Sequence, residues 1–211
     1  MLILCDFDGT ITLQDVTNLI WDRFIGPSWR DDLLSSYKHG QISHLKIMVD
    51  GYKCVRASKQ ELLDFVRPLV SMRPNFEALR QLCLSKNWPL TVLSGGLDFY
   101  IEAFLPPGVP FYSYSARHAQ HWEVFAPPGI EKSASDDFKV CVKQLLKKKY
   151  RKEKVVFIGD GRNDFPVAQR SDIVFAVRGS TLAQLCIGRG QVCHEFDDFS
   201  EVVQKLSAEC Y

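Results

Sequence analysis

Four apolar residues, Leu2-Ile3-Leu4-Cys5, run without a break into Asp6-Phe7-Asp8. A short apolar run of this kind reads as a strand buried on both faces, the habit of a parallel sheet. Two carboxylates at its end are costly, because an unpaired charge loses its hydration there. They are held together when a cation sits between them, and hard oxygen ligands suit magnesium. The pattern recurs: Lys154-Val-Val-Phe-Ile158 leads into Gly159-Asp160-Gly161-Arg162-Asn163-Asp164, two more acids in a tight loop that glycine permits.

The rest of the chain alternates between strand and helix patterns. Pro89-Leu-Thr-Val-Leu93 predicts a strand ending at Ser94-Gly95-Gly96, and Ile173-Val-Phe-Ala176 predicts another. Helical spacing covers 74–86, 97–104 and 136–149, with further helices near 180–187 and 198–208. Residues 13–70 read as a packet of short helices, broken at Gly26-Pro27-Ser28, His39-Gly40 and Asp50-Gly51. Residues 105–130 carry prolines at 106, 107, 110, 127 and 128, and Phe111-Tyr-Ser-Tyr and Trp122-Glu-Val-Phe125 alternate like the arms of a small hairpin beside the site. The expected fold is α/β: a doubly wound parallel sheet over 1–12 and 72–211, with a helical cap over 13–71 inserted after the first strand. Ligands of such sheets bind beyond the carboxyl ends of the strands, and those ends carry Asp6, Asp8, Ser94, Asp160 and Asp164.

Composition excludes several other readings. The 211 residues hold 26 basic and 25 acidic side chains, so a net charge of +1 gives no support for nucleic-acid binding. No apolar run approaches the ~20 residues of a membrane span. The first residues lack a basic segment, a long apolar stretch and a small-residue cleavage site, so a cytoplasmic location is expected. The seven cysteines are scattered without a CxxC pair, which favours reduced thiols. The basic run Lys147–Lys154 reads as the solvated end of a helix, and the tryptophans as packing residues, with Trp21 and Trp29 open as substrate-facing aromatics.

Four segments together resemble the haloacid dehalogenase superfamily of aspartate-nucleophile phosphohydrolases: Asp6-Phe-Asp-Gly-Thr10, Leu93-Ser94-Gly95-Gly96, Lys139, and Gly159-Asp-Gly-Arg-Asn-Asp164. The resemblance implies a magnesium-dependent phosphomonoester hydrolase. Asp6 is then the nucleophile and Asp8 the general acid and base. Asp160, Asp164, Asp6 and the Asp8 main-chain carbonyl face the metal. Ser94, the Gly95 amide and Lys139 meet the phosphoryl group. Lys132 is a competing candidate for the lysine. The second acid favours phosphate over halide chemistry. The helical insertion resembles that of the phosphoserine phosphatase subfamily. Asp15 stands where those enzymes carry an amine-binding glutamate, but the position of their carboxylate-binding arginine falls near Val49, with Arg56 as the nearby possible substitute. Asn163 is a further candidate substrate contact. The segments Asp6–Asp15 and Ser94–Tyr100 are more similar to the methionine-salvage phosphatases that cleave 2-hydroxy-3-keto-5-methylthiopentenyl-1-phosphate. The implied partner is a small phosphorylated metabolite, with phosphoserine, a phosphotransferase activity and a non-catalytic binding role as the alternatives.

Overall fold

A computed structural model describes residues 1–127 and 138–208. Its centre is β1 (Leu2–Cys5), fully buried and paired in parallel with β2 (Leu90–Leu97) on one side and β5 (Val155–Gly159) on the other. Beyond β2 lies β3 (Phe111–His118), followed by β4 (Trp122–Phe125); beyond β5 lie β6 (Ile173–Val177) and β7 (His194–Phe196). All neighbours are parallel except β3 and β4. The chain winds outward from β1 in one direction, then returns and winds outward in the other. Its order therefore reverses between β1 and β5, where a crevice opens at the carboxyl ends of the strands.

Within the sequence-predicted helix packet, the described elements are α1 (Val16–Phe24), a wide helical turn (Arg30–Leu34), α2 (Ser35–Lys38), α3 (His44–Cys54) and α4 (Lys59–Val66). Their starts follow from capping side chains. Asp15 accepts the Asn18 N–H, Ser43 accepts the Lys46 N–H, and Ser58 forms a reciprocal pair with Glu61. The chain leaves the sheet and returns at one place, where Thr12 bridges Met72 and the Leu13 N–H donates to the Ser71 carbonyl. Arg73 clamps this stem: its guanidinium donates to the carbonyls of Gly9, Thr10 and Asp197.

The later helices are α5 (Phe76–Ser85), α6 (Asp98–Phe104), α7 (Phe138–Lys149), α8 (Phe165–Ala168), α9 (Thr181–Gly188) and α10 (Phe199–Ala208). They pack apolar faces against the sheet, as Val142, Leu182 and Val202 show by their complete burial. The start predicted for α7 at Asp136 and the alternative Lys132 lie outside the described residues.

Two expectations change. The strand expected to end at Ser94 continues to Leu97, and its pairing with β3 slips between Leu93 and Leu97. Ser94-Gly95-Gly96 is thus a bulged stretch within a strand, a device that re-aims backbone toward a site. The expected hairpin exists, but β3 is a full member of the sheet. Trp122 of β4 stacks on Phe99, with ring centroids 5.0 Å apart, and donates its indole N–H to the Ala57 carbonyl at 2.9 Å. This arm supports the inserted helices rather than lining the crevice.

Candidate active site

The crevice is a cavity of about 570 Å³. Asp6, Asp8, Gly95, Asp160 and Asn163 line it from the sheet side; Trp21, Trp29, Tyr37, His44, Ile47 and Met48 line it from the inserted helices.

Asp6 follows β1 directly and is buried. Below it, fully buried Lys139 at the start of α7 donates to Asp6 Oδ1 at 2.7 Å and to Asp164 Oδ1 at 2.5 Å. Asp164 also accepts the N–H groups of Asp160 and Gly161, at 3.0 and 2.8 Å, so the loop after β5 folds around its carboxylate. Asp160 accepts the Thr10 hydroxyl at 2.8 Å. The intervening Gly9 has φ +74°, and a Cβ there would lie 2.5 Å from Asp160 Oδ2. Glycine thus permits both the backbone turn and the close approach of the two acidic loops.

Oxygens of Asp6, Asp160 and Asp164 lie within 4.8 Å of one another. Two of the three carboxylates, Asp6 and Asp164, share one lysine. Burial pushes the Asp6 carboxyl well up, with the Asp164 charge adding to it and Lys139 opposing. Burial and the Asp164 charge raise Asp160 to about 7. Burial works against the Lys139 charge, but Asp164 and Asp6 outweigh it and hold the ammonium above its ordinary range. The cluster carries surplus negative charge and only hard oxygen donors, the chemistry that fits a divalent cation such as magnesium.

Asp8 is separate from this cluster. Its Oδ1 accepts the Val16 N–H and its Oδ2 the Tyr100 hydroxyl, both at 2.9 Å. Burial, with Asp15 adding, lifts the carboxyl to about 8. One acid of the pair therefore sits against an ammonium while the other is tuned to hold a proton near neutrality.

Several sequence-predicted residues are placed differently. The Asp8 carboxylate is not part of the three-acid cluster; the expectation gives a metal only its main-chain carbonyl. Ser94 is fully buried behind the cavity wall; its hydroxyl accepts the Gly96 N–H at 2.9 Å and lies 3.3 Å from Asp8 Oδ2. The neighbouring Gly95 does reach the wall. Asp15 borders the cavity but caps α1 with its carboxylate, and Asn163 lines the wall. Arg56 is exposed beyond the end of α3 and is not brought to the cavity. The motif-based reading gave no role to Tyr37, His44, Ile47 or Met48, which carry no local signature. Burial, then the Lys139 charge, depresses the His44 imidazole to about 3, so a neutral ring stands at the wall.

This combination of fold and acid cluster is that of a known family: residues 3–169 match the haloacid dehalogenase-like hydrolases, and the chain belongs to them. Among its relatives, a 2-hydroxy-3-keto-5-methylthiopentenyl-1-phosphate phosphatase of Geobacillus kaustophilus is 28% identical over 98% of this chain and 95% of its own length. Pdp3-interacting factor 1 of Schizosaccharomyces pombe is 24% identical over 98% of this chain and 94% of its own. A phosphoserine phosphatase solved as a phospho-aspartyl intermediate analogue superposes with a TM-score of 0.75 over 97% of each chain at 14% identity, which shows the shared fold. Family and phosphatase-named relatives together make this chain a phosphatase. No helix among the described residues is long and apolar enough to cross a membrane.

Proposed function

We propose that the protein hydrolyses a small phosphomonoester through an aspartyl-phosphate intermediate, with 2-hydroxy-3-keto-5-methylthiopentenyl-1-phosphate as its substrate. The observation that carries the reaction class is the division of labour between the two acids. Asp6, held against the Lys139 ammonium at 2.7 Å, is positioned as the nucleophile. Asp8, raised to about 8 and borne on the same turn, is kept protonated as an acid.

In this reading an Asp6 oxygen attacks phosphorus while Asp8 protonates the departing ester oxygen. Asp8, now ionised, then takes a proton from the water that hydrolyses the acyl phosphate. Lys139 offsets charge on Asp6 and on the incoming phosphoryl group, and the Gly95 amide meets a phosphoryl oxygen. Asp6, Asp160 and Asp164 would hold a divalent cation, which when bound neutralises phosphoryl charge. The inserted helices act as a cap over residues 13–71 that excludes water from the reacting centre.

Two facts support the methylthio substrate. Relatives carry that activity in their names. The helix-side wall of Trp21, Trp29, Ile47 and Met48 is an apolar surface suited to a neutral thioether chain. The basic residues at the wall, Lys38 and Arg162, are exposed, which makes a poor clamp for the carboxylate of phosphoserine.

Phosphate release from a panel containing both compounds, with magnesium and with chelator, tests the proposal. We expect magnesium-dependent release that is lost in Asp6→Asn and is fastest, by kcat/KM, with the methylthio ester. Preference for phosphoserine would overturn the substrate and keep the class. No release by the wild type would overturn both.

A further inference from the structure

Both oxygens of Asp8 are occupied, and one of them begins a chain of hydroxyls. Tyr100 Oη lies 2.9 Å from Asp8 Oδ2 and 3.0 Å from Thr17 Oγ1, which in turn lies 3.3 Å from Tyr52 Oη. The Tyr100 hydroxyl donates to Asp8 Oδ2, which leaves the Asp8 proton for the substrate. Its oxygen then accepts from Thr17, whose own oxygen accepts from Tyr52. Donor direction is thereby set along the whole chain.

The three hydroxyls come from three elements: Tyr100 from α6, Thr17 from α1 and Tyr52 from α3. All three residues are buried. Gly96 makes the meeting possible, because a Cβ there would overlap the Tyr100 hydroxyl and lie 2.5 Å from Asp8 Oδ2. The Tyr100 ring also packs on Phe7 and Phe99, so its position does not depend on the hydroxyl.

We infer that Tyr100, backed by Thr17, is a positioning residue that fixes the Asp8 carboxyl in the orientation needed for proton transfer to the leaving oxygen. The inference rests on the phosphatase reading and on Asp8 as its general acid. In the first step the Asp6–phosphorus bond forms, the ester P–O bond breaks, and the Asp8 proton moves to the departing oxygen. Tyr100 keeps its own proton throughout, and its hydrogen bond supports the carboxylate left on Asp8. Because Thr17 and Tyr52 belong to the inserted helices, full alignment of Asp8 requires those helices to be seated.

A leaving-group comparison separates this role from simple packing. Tyr100→Phe keeps the ring and deletes only the oxygen. An alkyl phosphate needs its leaving oxygen protonated, whereas p-nitrophenyl phosphate does not. The parameter kcat/KM reports the steps up to phosphoryl transfer, so slow hydrolysis of the intermediate does not mask the effect. With Tyr100→Phe we expect kcat/KM to fall about tenfold to hundredfold on the alkyl ester and by less than about threefold on p-nitrophenyl phosphate. Thr17→Val should shift the same ratio in the same direction by less. The ratio of the two values is independent of the fraction of enzyme folded, so a destabilised variant still gives an answer. Equal losses on both esters, or no loss on either, would overturn the inference alone. A wild type inactive on every ester would overturn the phosphatase reading and the inference with it.

Discussion

On the sheet side of the cavity, Asp6, Asp8 and Asp160 sit at the carboxyl ends of β1 and β5, with Lys139 and Asp164 beneath. On the helix side the wall is Trp21, Trp29, Ile47 and Met48. The first wall concentrates charge, which is tolerable only when each carboxylate is paired or solvated. The second wall presents apolar area, whose energetics depend on shape and are individually modest. The contrast teaches that the two walls answer different questions. On the proposed reading, the charged wall serves bond breaking and the apolar wall selects the ester.

The largest test of that contrast is Asp6→Asn, a nearly isosteric change to a poor nucleophile. Phosphate release should fall at least about 10³-fold for every ester, while the circular dichroism spectrum stays unchanged. Retained turnover would remove Asp6 from the chemistry. Next comes Lys139→Met, which leaves Asp6 and Asp164 without their shared cation. Removal of one partner from a buried ion pair costs about 3–5 kcal/mol, measurable by urea unfolding. A loss below 1 kcal/mol would show that the acids do not depend on the lysine (threshold on the order of a surface pair).

On the apolar wall the effects should be smaller and selective. Trp29→Ala should lower kcat/KM about tenfold for an ester with a bulky apolar leaving group and leave ethyl phosphate within about twofold. Equal losses on both would break the division between the walls. The smallest effect concerns pH. The folded-state value of His44, about 3, lies below its ordinary 6.5. The neutral ring therefore contributes stability above pH 6.5 that is lost as pH falls toward 3, because the unfolded chain binds the extra proton. His44 is only partly buried at the cavity wall, so the slope should stay below about 1.4 kcal/mol per pH unit. Urea unfolding at pH 7.5 and 5.5 should show a weaker pH dependence for His44→Asn than for the wild type; identical dependence would remove His44 from the balance.

The charged wall was largely legible in the sequence. Asp6, Asp8, Asp160 and Asp164 stand next to apolar runs, and acids in such places are rarely accidental. Lys139 was legible only as one of two candidates, since a helix start does not reveal which lysine points inward. Asp15 illustrates the opposite limit. It precedes Val16 as an N-cap does, and the structure shows its carboxylate engaged in that duty. The motif reading had given it to the substrate. The apolar wall could be read only as a packet of helices, because amphipathic spacing tells which face is buried but not whether it meets core or cavity. Tyr100 stood within the quoted stretch Ser94–Tyr100, yet its link to Asp8 spans 92 positions and leaves no local mark.

The sequence by itself determined the alternation of strands and helices and the acids at the strand ends. These follow from local burial, turn chemistry and the cost of unpaired charge. Tertiary structure alone decided which of those groups touch. Lys139 reaches Asp6 across 133 positions and Thr17 reaches Tyr100 across 83, contacts that exist only once the sheet order is set and the inserted helices are seated. The physical reason is that hydrogen bonds and ion pairs act over a few ångströms, whereas sequence patterns report only each residue's own neighbourhood.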